Sequence, residues 1–231
     1  MKIKSSIFAA SAVFAIGLQS AEAVLVAAWN FNSLSIANAS TVGSGGVPTS
    51  IAASTGTGAV SLAGWAGTVD DFNGSTLNAV IGDLAEESLS LIAGPGTGTP
   101  AIFPANGSFI TINFSTVGLH AVVATFATRG SSSGFNASSW DYSTDGTTFT
   151  NFAAAPNTAT RIGFAIATVD FTSITAINNA TSVTLRYTLS GATTSAGNNR
   201  IDNLQINAIP EPSSAMLLGA MGILGVLRRR R

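Results

Sequence analysis

The sequence predicts an all-β protein, a β-sandwich of the jelly-roll type with about eight or nine strands. Apolar and polar residues alternate in several separate runs, which is the pattern of strands with one buried face. Turn-forming residues separate these runs, above all the glycines and prolines of segment 94–104 and the Asp145-Gly146 pair. Short strands with turn signals between them are typical of two packed antiparallel sheets.

The composition leaves one alternative to a folded domain. The chain is rich in Gly, Ser, Thr, Asn and Ala, and only 9% of its residues are charged. A disordered, glycosylated stalk has a similar bias. Disorder does not require alternation, so a folded β domain with long polar loops is favoured. Because the chain has no cysteine, this domain must be stable without disulfides.

In the first half of the domain the strand signals are uneven. Val24–Phe31 is predicted to be a strand that turns Trp29 and Phe31 toward the core. Weaker strands are predicted at Ala59–Ala63 and Thr76–Ile81. Asp83–Ser88 resembles a capping box and predicts a single helical turn.

The second half carries the clearest strands. Asp145-Gly146 lies between two β-like runs and predicts a hairpin over residues 139–152 with a type I′ turn. In the strand at 181–190, Leu185 and Tyr187 are expected to point inward and Arg186 outward. The strands predicted in this half, apart from the hairpin, are 109–114, 119–128, 161–169, 181–190 and 200–208.

The N-terminus has the features of a secretory signal peptide. Lys2 and Lys4 form a positive region, Ile7–Leu18 is apolar, and Ala21-Glu22-Ala23 fits the small-x-small rule for cleavage. We expect signal peptidase to cleave after Ala23, so that residues 1–23 are the signal peptide and residues 24–209 the β-sandwich domain.

The C-terminal residues 210–231 form a separate tail. Pro210-Glu211-Pro212 interrupts regular structure, Ala215–Leu227 is apolar, and the last four residues are Arg228, Arg229, Arg230 and Arg231. An apolar segment followed by arginines predicts a short transmembrane helix with its basic end in the cytoplasm. The alternative is a buried core helix, because the apolar run is short for a membrane span.

The order of breaker, apolar segment and basic end resembles the PEP-CTERM sorting tail of exported bacterial proteins. The resemblance implies processing near the Pro-Glu-Pro motif by exosortase, a membrane protease-transpeptidase. It further implies that the tail anchors the protein in the inner membrane before processing. The processed protein would then reach the cell surface or the extracellular matrix.

The charge of the domain excludes one class of partner. Residues 24–209 contain four arginines, no lysine and nine acidic residues, a formal charge of −5. A mildly acidic domain lacks the positive surface that nucleic acid requires, so no nucleic acid partner is expected.

Asp202 is the candidate metal ligand. The runs 170–174, 183–187 and 200–204 resemble the closing strands of exported jelly-roll domains that are similar in outline to carbohydrate-binding modules. That resemblance implies a structural Ca²⁺ held by Asp202 together with backbone carbonyls, since oxygen ligands suit this ion. The alternatives are an ion pair of Asp202 with Arg186 or Arg200, or an exposed position at a strand edge. No other cofactor is expected.

Trp65 and Trp140 are the candidates for stacking on sugar rings, and the alternative is that both are core residues. No catalytic residue is predicted. His120 lies inside a predicted strand, and Gly130–Gly134 has the letters of a nucleophile elbow without a following helix.

These features favour an exported, non-enzymatic surface or matrix protein that associates with exopolysaccharide and binds glycans. One alternative is a hydrolase or lyase acting on polysaccharide, which would require catalytic carboxylates or a Tyr/His/Arg group in a cleft. Another is a purely structural, glycosylated surface protein.

Overall fold

A computed structural model describes residues 22–152 and 163–211. These residues form two antiparallel sheets that pack face to face, with one 3₁₀ turn at Thr175–Ile177. The predicted all-β sandwich is confirmed. The described residues contain 13 strands, more than the eight or nine expected, because several strands are only two to four residues long.

The strands, in chain order, are β1 (Val24–Trp29), β2 (Ser50–Ala52), β3 (Thr55–Gly56), β4 (Gly58–Ser61), β5 (Thr68–Asn73), β6 (Glu87–Ile92), β7 (Ser108–Phe114), β8 (Leu119–Gly130), β9 (Ala137–Ser143), β10 (Thr150–Phe152), β11 (Ala165–Asp170), β12 (Val183–Ser190) and β13 (Asn198–Pro210).

Strand β13 organises the larger sheet, called sheet 1 below. The sheet has the order β11-β8-β13-β1-β3, and β5 and β6 join it through pairing of β6 with β13. The first part of β13 pairs with β6, and the part after Asn203 pairs with β1. Sheet 2 has the order β10-β9-β12-β7-β4-β2.

The core lies between the two sheets and includes a cluster of aromatic side chains. Trp140 stacks on Tyr187 with ring centroids 4.5 Å apart, and it meets Phe171 edge-on at 6.0 Å. Phe126 of sheet 1 contacts both Trp140 and Tyr187 of sheet 2. Large side chains of this kind supply the burial that holds a domain together without disulfides.

The strongly alternating segments fold as predicted. In β12, Val183, Leu185, Tyr187 and Leu189 are all buried, whereas Arg186 and Thr188 on the other face are partly exposed. Trp29 and Phe31 are buried at the end of β1, as expected.

Two predictions in the first half are wrong. Segment 76–81 is not a strand but part of a loop that continues to residue 86. Asp83–Ser88 forms no helical turn, because Glu87 already begins β6 and pairs with Asn73. Strands β5 and β6 lie across from each other, so their stability comes from pairing that local sequence does not reveal.

The predicted hairpin is correct in its strands and wrong in its turn. Thr150 pairs with Tyr142, and residues 144–149 form the connection instead of a two-residue turn. Gly146 has a positive φ of 73°, whereas Asp145 accepts hydrogen bonds from the N–H groups of Thr147 and Thr148. The Asp145 side chain thus caps a wider loop.

The expected domain boundaries lie at or next to the ends of strands. Val24, the expected first residue after cleavage, begins β1. At the other end β13 includes Pro210, one residue beyond the expected boundary, and the Glu211 N–H donates to the Gly118 carbonyl at 2.8 Å. Residues 1–21, Pro212 and the apolar and arginine segments of the tail lie outside the described residues. Among residues 22–152 and 163–211, no helix is long and apolar enough to cross a membrane.

Candidate ligand-binding face

A row of polar side chains crosses the outer face of sheet 2 from edge to edge. The strand register aligns one residue from each of the six strands, in the order Asn151, Asp141, Arg186, Thr111, Ser61 and Ser50. At about 4.8 Å between neighbouring strands, the row is roughly 24 Å long. We call it the Arg186 row.

Arg186 is the fixed centre of this row. Its Nε donates to Oδ2 of Asp141 at 2.9 Å, and Oδ1 of Asp141 accepts from Nδ2 of Asn151, also at 2.9 Å. The centre of the guanidinium lies 4.1 Å from the ring centroid of Phe149 and 5.4 Å from that of Phe109. An arginine held between two rings and a carboxylate is pre-organised for binding.

Local sequence explains how each of these side chains reaches the outer face. Alternation in β12 sends Leu185 and Tyr187 into the core and therefore Arg186 outward. Phe109 has the same outward parity in β7, and its N–H donates to the Gly64 carbonyl. A Cβ at Gly64 would clash with the Phe109 ring, so glycine at this position leaves room for that ring.

The row presents hydrogen-bonding groups on the outer face of sheet 2. The Arg186 side chain is 29% exposed, and its ion pair with Asp141 uses Nε. Among the described residues no group accepts a hydrogen bond from Nη1 or Nη2, so both can donate to a ligand. Asn151, Thr111, Ser61 and Ser50 add amide and hydroxyl groups, and Phe149 adds an aromatic surface.

The row ends at a cavity of about 880 Å³. Ser50 belongs to both, and the cavity is bounded by the chain after β1 and by strand β2. Its lining carries no ionisable side chain: Trp29, Asn30, Phe31, Asn32, Ser33, Leu34, Ser35, Gly46, Pro48, Ser50, Ile51, Ala52, Ala53 and Ser54. Neutral hydroxyl and amide groups thus continue from the row into the cavity.

Asp202 is not on this face but lies buried in sheet 1. Asp202 is 1% exposed, and it lies on the same outer face of the sheet as Arg200. Uninterrupted alternation would instead place it on the same face as Leu204. The register of β13 shifts between Asp202 and Gln205, and Asn203 has a φ of 48°. A bulge therefore reverses the alternation expected for this strand.

Backbone amides, not an arginine, satisfy the Asp202 carboxylate. Oδ2 accepts from the Ser75 N–H at 2.6 Å, and Oδ1 accepts from the Asn203 N–H at 2.9 Å. Burial raises the pKa of Asp202 to about 7 despite these two hydrogen bonds. Arg186 pairs with Asp141 instead, so the alternative of an Asp202–Arg186 ion pair is wrong. The described residues contain no group of three metal-binding side chains, and a Ca²⁺ at Asp202 stays a prediction.

The two tryptophans expected to stack on sugars are core residues. Trp65 is 5% exposed and packs edge-on against Phe135, and Trp140 is 2% exposed beneath Tyr187. Neither presents a ring face to solvent, so the stacking prediction is wrong and its core alternative is correct. The residues that sequence reasoning missed are Phe109 and Phe149, which only the strand register brings beside Arg186.

Comparisons with known proteins identify the C-terminal tail. Residues 208–231 match the model of the PEP-CTERM protein-sorting motif. No curated protein matches the chain.

Solved structures with a similar arrangement include the carbohydrate-binding module TmCBM61 in complex with beta-1,4-galactotriose, at 8% identity and TM-score 0.35, covering 60% of this chain and 80% of that one. The CBM22-1 xylan-binding domain from Paenibacillus barcinonensis has 12% identity and TM-score 0.35, covering 62% and 82%. An isomalto-dextranase from Arthrobacter globiformis T6, complexed with panose, has 12% identity and TM-score 0.34, covering 68% and 22%. At these TM-scores the likenesses carry no conclusion about ligand or activity.

Proposed function

We propose that this chain, whose residues 208–231 are a PEP-CTERM protein-sorting motif, is an exported, non-catalytic surface or matrix protein that binds exopolysaccharide along the Arg186 row. The tail motif supports export and processing by exosortase. We further propose that signal peptidase releases residues 1–23 and that the tail anchors the protein in the inner membrane until exosortase acts.

The single observation that carries the binding proposal is the geometry of Arg186. A guanidinium already held by Asp141, Phe109 and Phe149 loses little conformational freedom when a ligand binds. Sugar hydroxyl groups both donate and accept hydrogen bonds, and the row supplies donors and acceptors across the full width of the sheet. Its length suits a polymer rather than a single sugar.

The geometry gives no support to the alternative of a polysaccharide hydrolase or lyase. Such an enzyme needs a carboxyl group of raised pKa that reaches the substrate. Asp202 has a raised pKa, but it is 1% exposed and hydrogen-bonded to Ser75 and Asn203. Asp70 and Glu87 also have raised pKa values, but they lie on β5 and β6 of sheet 1, away from the Arg186 row. Asp141 is ion-paired to Arg186.

The test is retention of the full-length chain, purified in detergent, on exopolysaccharide from its own host. Phe149→Ala removes the ring nearest to Arg186, and we expect it to weaken retention about tenfold. Ile166→Ala is the matched control, because Ile166 is an exposed apolar residue on the opposite sheet. Equal retention of both variants would show that the Arg186 row is not the binding site. Absence of retention by the unmodified chain would leave the purely structural surface protein.

The same assay tests the Ca²⁺ proposed for Asp202. Retention that a chelator abolishes, and that calcium restores, would support the metal. Retention that is unchanged by chelator would show that binding does not require calcium. Release of reducing or unsaturated sugar during incubation would contradict the non-catalytic role.

A further inference from the structure

Sheet 1 carries a second row of polar residues on its own outer face. The strand register aligns Asp70 of β5, Ser90 of β6, Arg200 of β13 and Arg129 of β8. Arg129 and Arg200 are thus direct cross-strand neighbours with side chains on the same face. The domain has only four arginines between residues 24 and 209, and two of them lie side by side here.

Like charges directly opposite each other in a sheet are destabilising, so this pair requires an explanation. Burial and the charge of Arg129 both lower the pKa of Arg200, and the opposing effect of the Asp70 charge is smaller than either. The only ion pair among the described residues is the one between Arg186 and Asp141 on the other sheet. No described carboxylate therefore neutralises Arg129 or Arg200 within 4 Å.

Arg200 is nevertheless held in place. Its guanidinium centre lies 4.4 Å from the ring centroid of Phe72 of β5. Ser90 lies between Arg200 and Asp70 in the register of the sheet; it is fully buried, and its Oγ has no hydrogen-bond partner in the described part of the chain. On its other side, Arg129 has no paired residue in β11, because the pairing of β11 with β8 ends at Thr128.

We propose that Arg129 and Arg200 form a binding site for an oxyanion, either a carboxylate or a sulfate ester, on an acidic polysaccharide. An oxyanion between the two guanidinium groups would remove their mutual repulsion and accept charge-assisted hydrogen bonds from both. That the oxyanion belongs to a polysaccharide rests on the proposed function. The two arginines are nevertheless a site separate from the Arg186 row.

The surroundings determine how an acidic chain would lie. Asp70 faces the same row on the far side of Ser90 and would repel an anion, so the charged group binds on the Arg129 side. A cavity of about 540 Å³ adjoins Asp70 and Phe72 and includes Thr68 and Asn198. Neutral hydroxyl groups of the same polymer can bind there, where Asp70 and Asn198 are hydrogen-bonding partners.

The experiment compares binding of the full-length chain in detergent to immobilised polygalacturonate, dextran sulfate and unmodified dextran. We expect retention on at least one anionic polymer, weaker retention on dextran, and loss of the difference at high salt because exposed charges are screened. Retention on polygalacturonate alone assigns a carboxylate, and retention on dextran sulfate alone assigns a sulfate. Free citrate and free sulfate as competitors show whether a small anion suffices.

Arg129→Gln and Arg200→Gln should each weaken anionic binding about tenfold, as expected for loss of a charged hydrogen bond. Val117→Glu is the charge control. It lowers the net charge by one as well, and Val117 is exposed beside the start of β8, whereas Arg129 lies near its end. Thermal unfolding of each variant checks that the fold is intact.

Equal binding of the arginine variants and the unmodified chain would overturn the proposal, as would equal retention on dextran and both anionic polymers. The test of the arginine site does not depend on the assay with host exopolysaccharide, because polygalacturonate and dextran sulfate are defined polymers. Failure of one proposal can therefore be distinguished from failure of the other. Arg129→Lys and Arg200→Lys keep the charge, and a smaller loss in these variants would support bidentate recognition by arginine.

Discussion

The Oδ2 atom of Asp202 accepts a hydrogen bond from the backbone N–H of Ser75 at 2.6 Å, although the two residues are 127 positions apart. This bond joins the loop after β5 to the centre of β13. Nδ2 of Asn203 strengthens the connection by donating to the carbonyls of Ser75 and Leu77. The bulge in β13 is therefore the anchor of this loop.

Stability should depend on pH through Asp202. Its pKa is about 7 in the folded protein, compared with about 3.9 for an ordinary aspartate. Between these values the folded state retains a proton that the unfolded chain has lost. The free energy of unfolding therefore falls as pH rises from about 4 to about 7, by at most about 1.4 kcal/mol per pH unit.

Urea unfolding at pH 5 and pH 8 measures this effect, and Asp202→Asn should flatten the dependence because it cannot ionise. Hydrogen bonds with Thr172 lower the pKa of Asp170. This residue therefore changes the free energy of unfolding at more acidic pH and in the opposite direction. An identical pH profile for Asp202→Asn and the unmodified chain would show that Asp202 is not the responsible group.

Asn203→Ala should destabilise the protein by about 2–3 kcal/mol. The change removes two hydrogen bonds to buried or partly buried carbonyls and places alanine at a φ of 48°. Asn38→Ala is the matched control, because Asn38 also has a positive φ of 68° but is exposed. Chemical denaturation compares the two variants, and equal losses would mean that backbone conformation alone accounts for the effect.

Ion pairing on the Arg186 row should be visible in stability as well as in binding. Arg186→Gln leaves the buried Asp141 carboxylate without its cation, and we expect a loss of about 1–3 kcal/mol, since Arg186 is partly exposed. Asp141→Asn combined with Arg186→Gln should recover part of that loss. A double-mutant cycle measures the coupling, and purely additive losses would argue against a direct pair.

All three tryptophans should report a buried environment. Trp29, Trp65 and Trp140 lie in the core, so their fluorescence should be blue-shifted and resistant to acrylamide. Polysaccharide binding should leave the emission of Trp65 and Trp140 unchanged because both are buried and neither lines the cavity at the end of the Arg186 row, whereas Trp29 lines that cavity and can respond. A shift on binding that persists in Trp29→Phe would restore stacking by Trp65 or Trp140 as the mode of recognition.

Trp140→Ala should destabilise the fold by about 3–5 kcal/mol, because it empties the space between Tyr187, Phe126 and Phe171. Trp140→Phe keeps a ring in that space and should lose less. Thermal unfolding measures both variants, and a small effect of the alanine variant would contradict the core position.

Sequence reasoning succeeded where a strand has one buried face and strong alternation. Strand β12 is the clearest case, since Leu185 and Tyr187 are buried and Arg186 is partly exposed, as expected. It failed for segment 76–81, whose apolar residues suggested a strand. That segment is held as a loop because Asn78 donates to the Asn203 carbonyl and to Thr125. These partners lie far along the chain, and local propensity contains no information about them.

The amino-acid sequence by itself determined the all-β class, the confirmed sorting motif at the C-terminus and the outward position of Arg186, because each depends on the local order of residues. Only the tertiary structure decided that Arg186 faces Asp141, that Arg129 lies beside Arg200, and that Asp202 is buried under Ser75. Those three relationships depend on the register between distant strands and on one bulge. A shift of register by one residue would reverse every face involved.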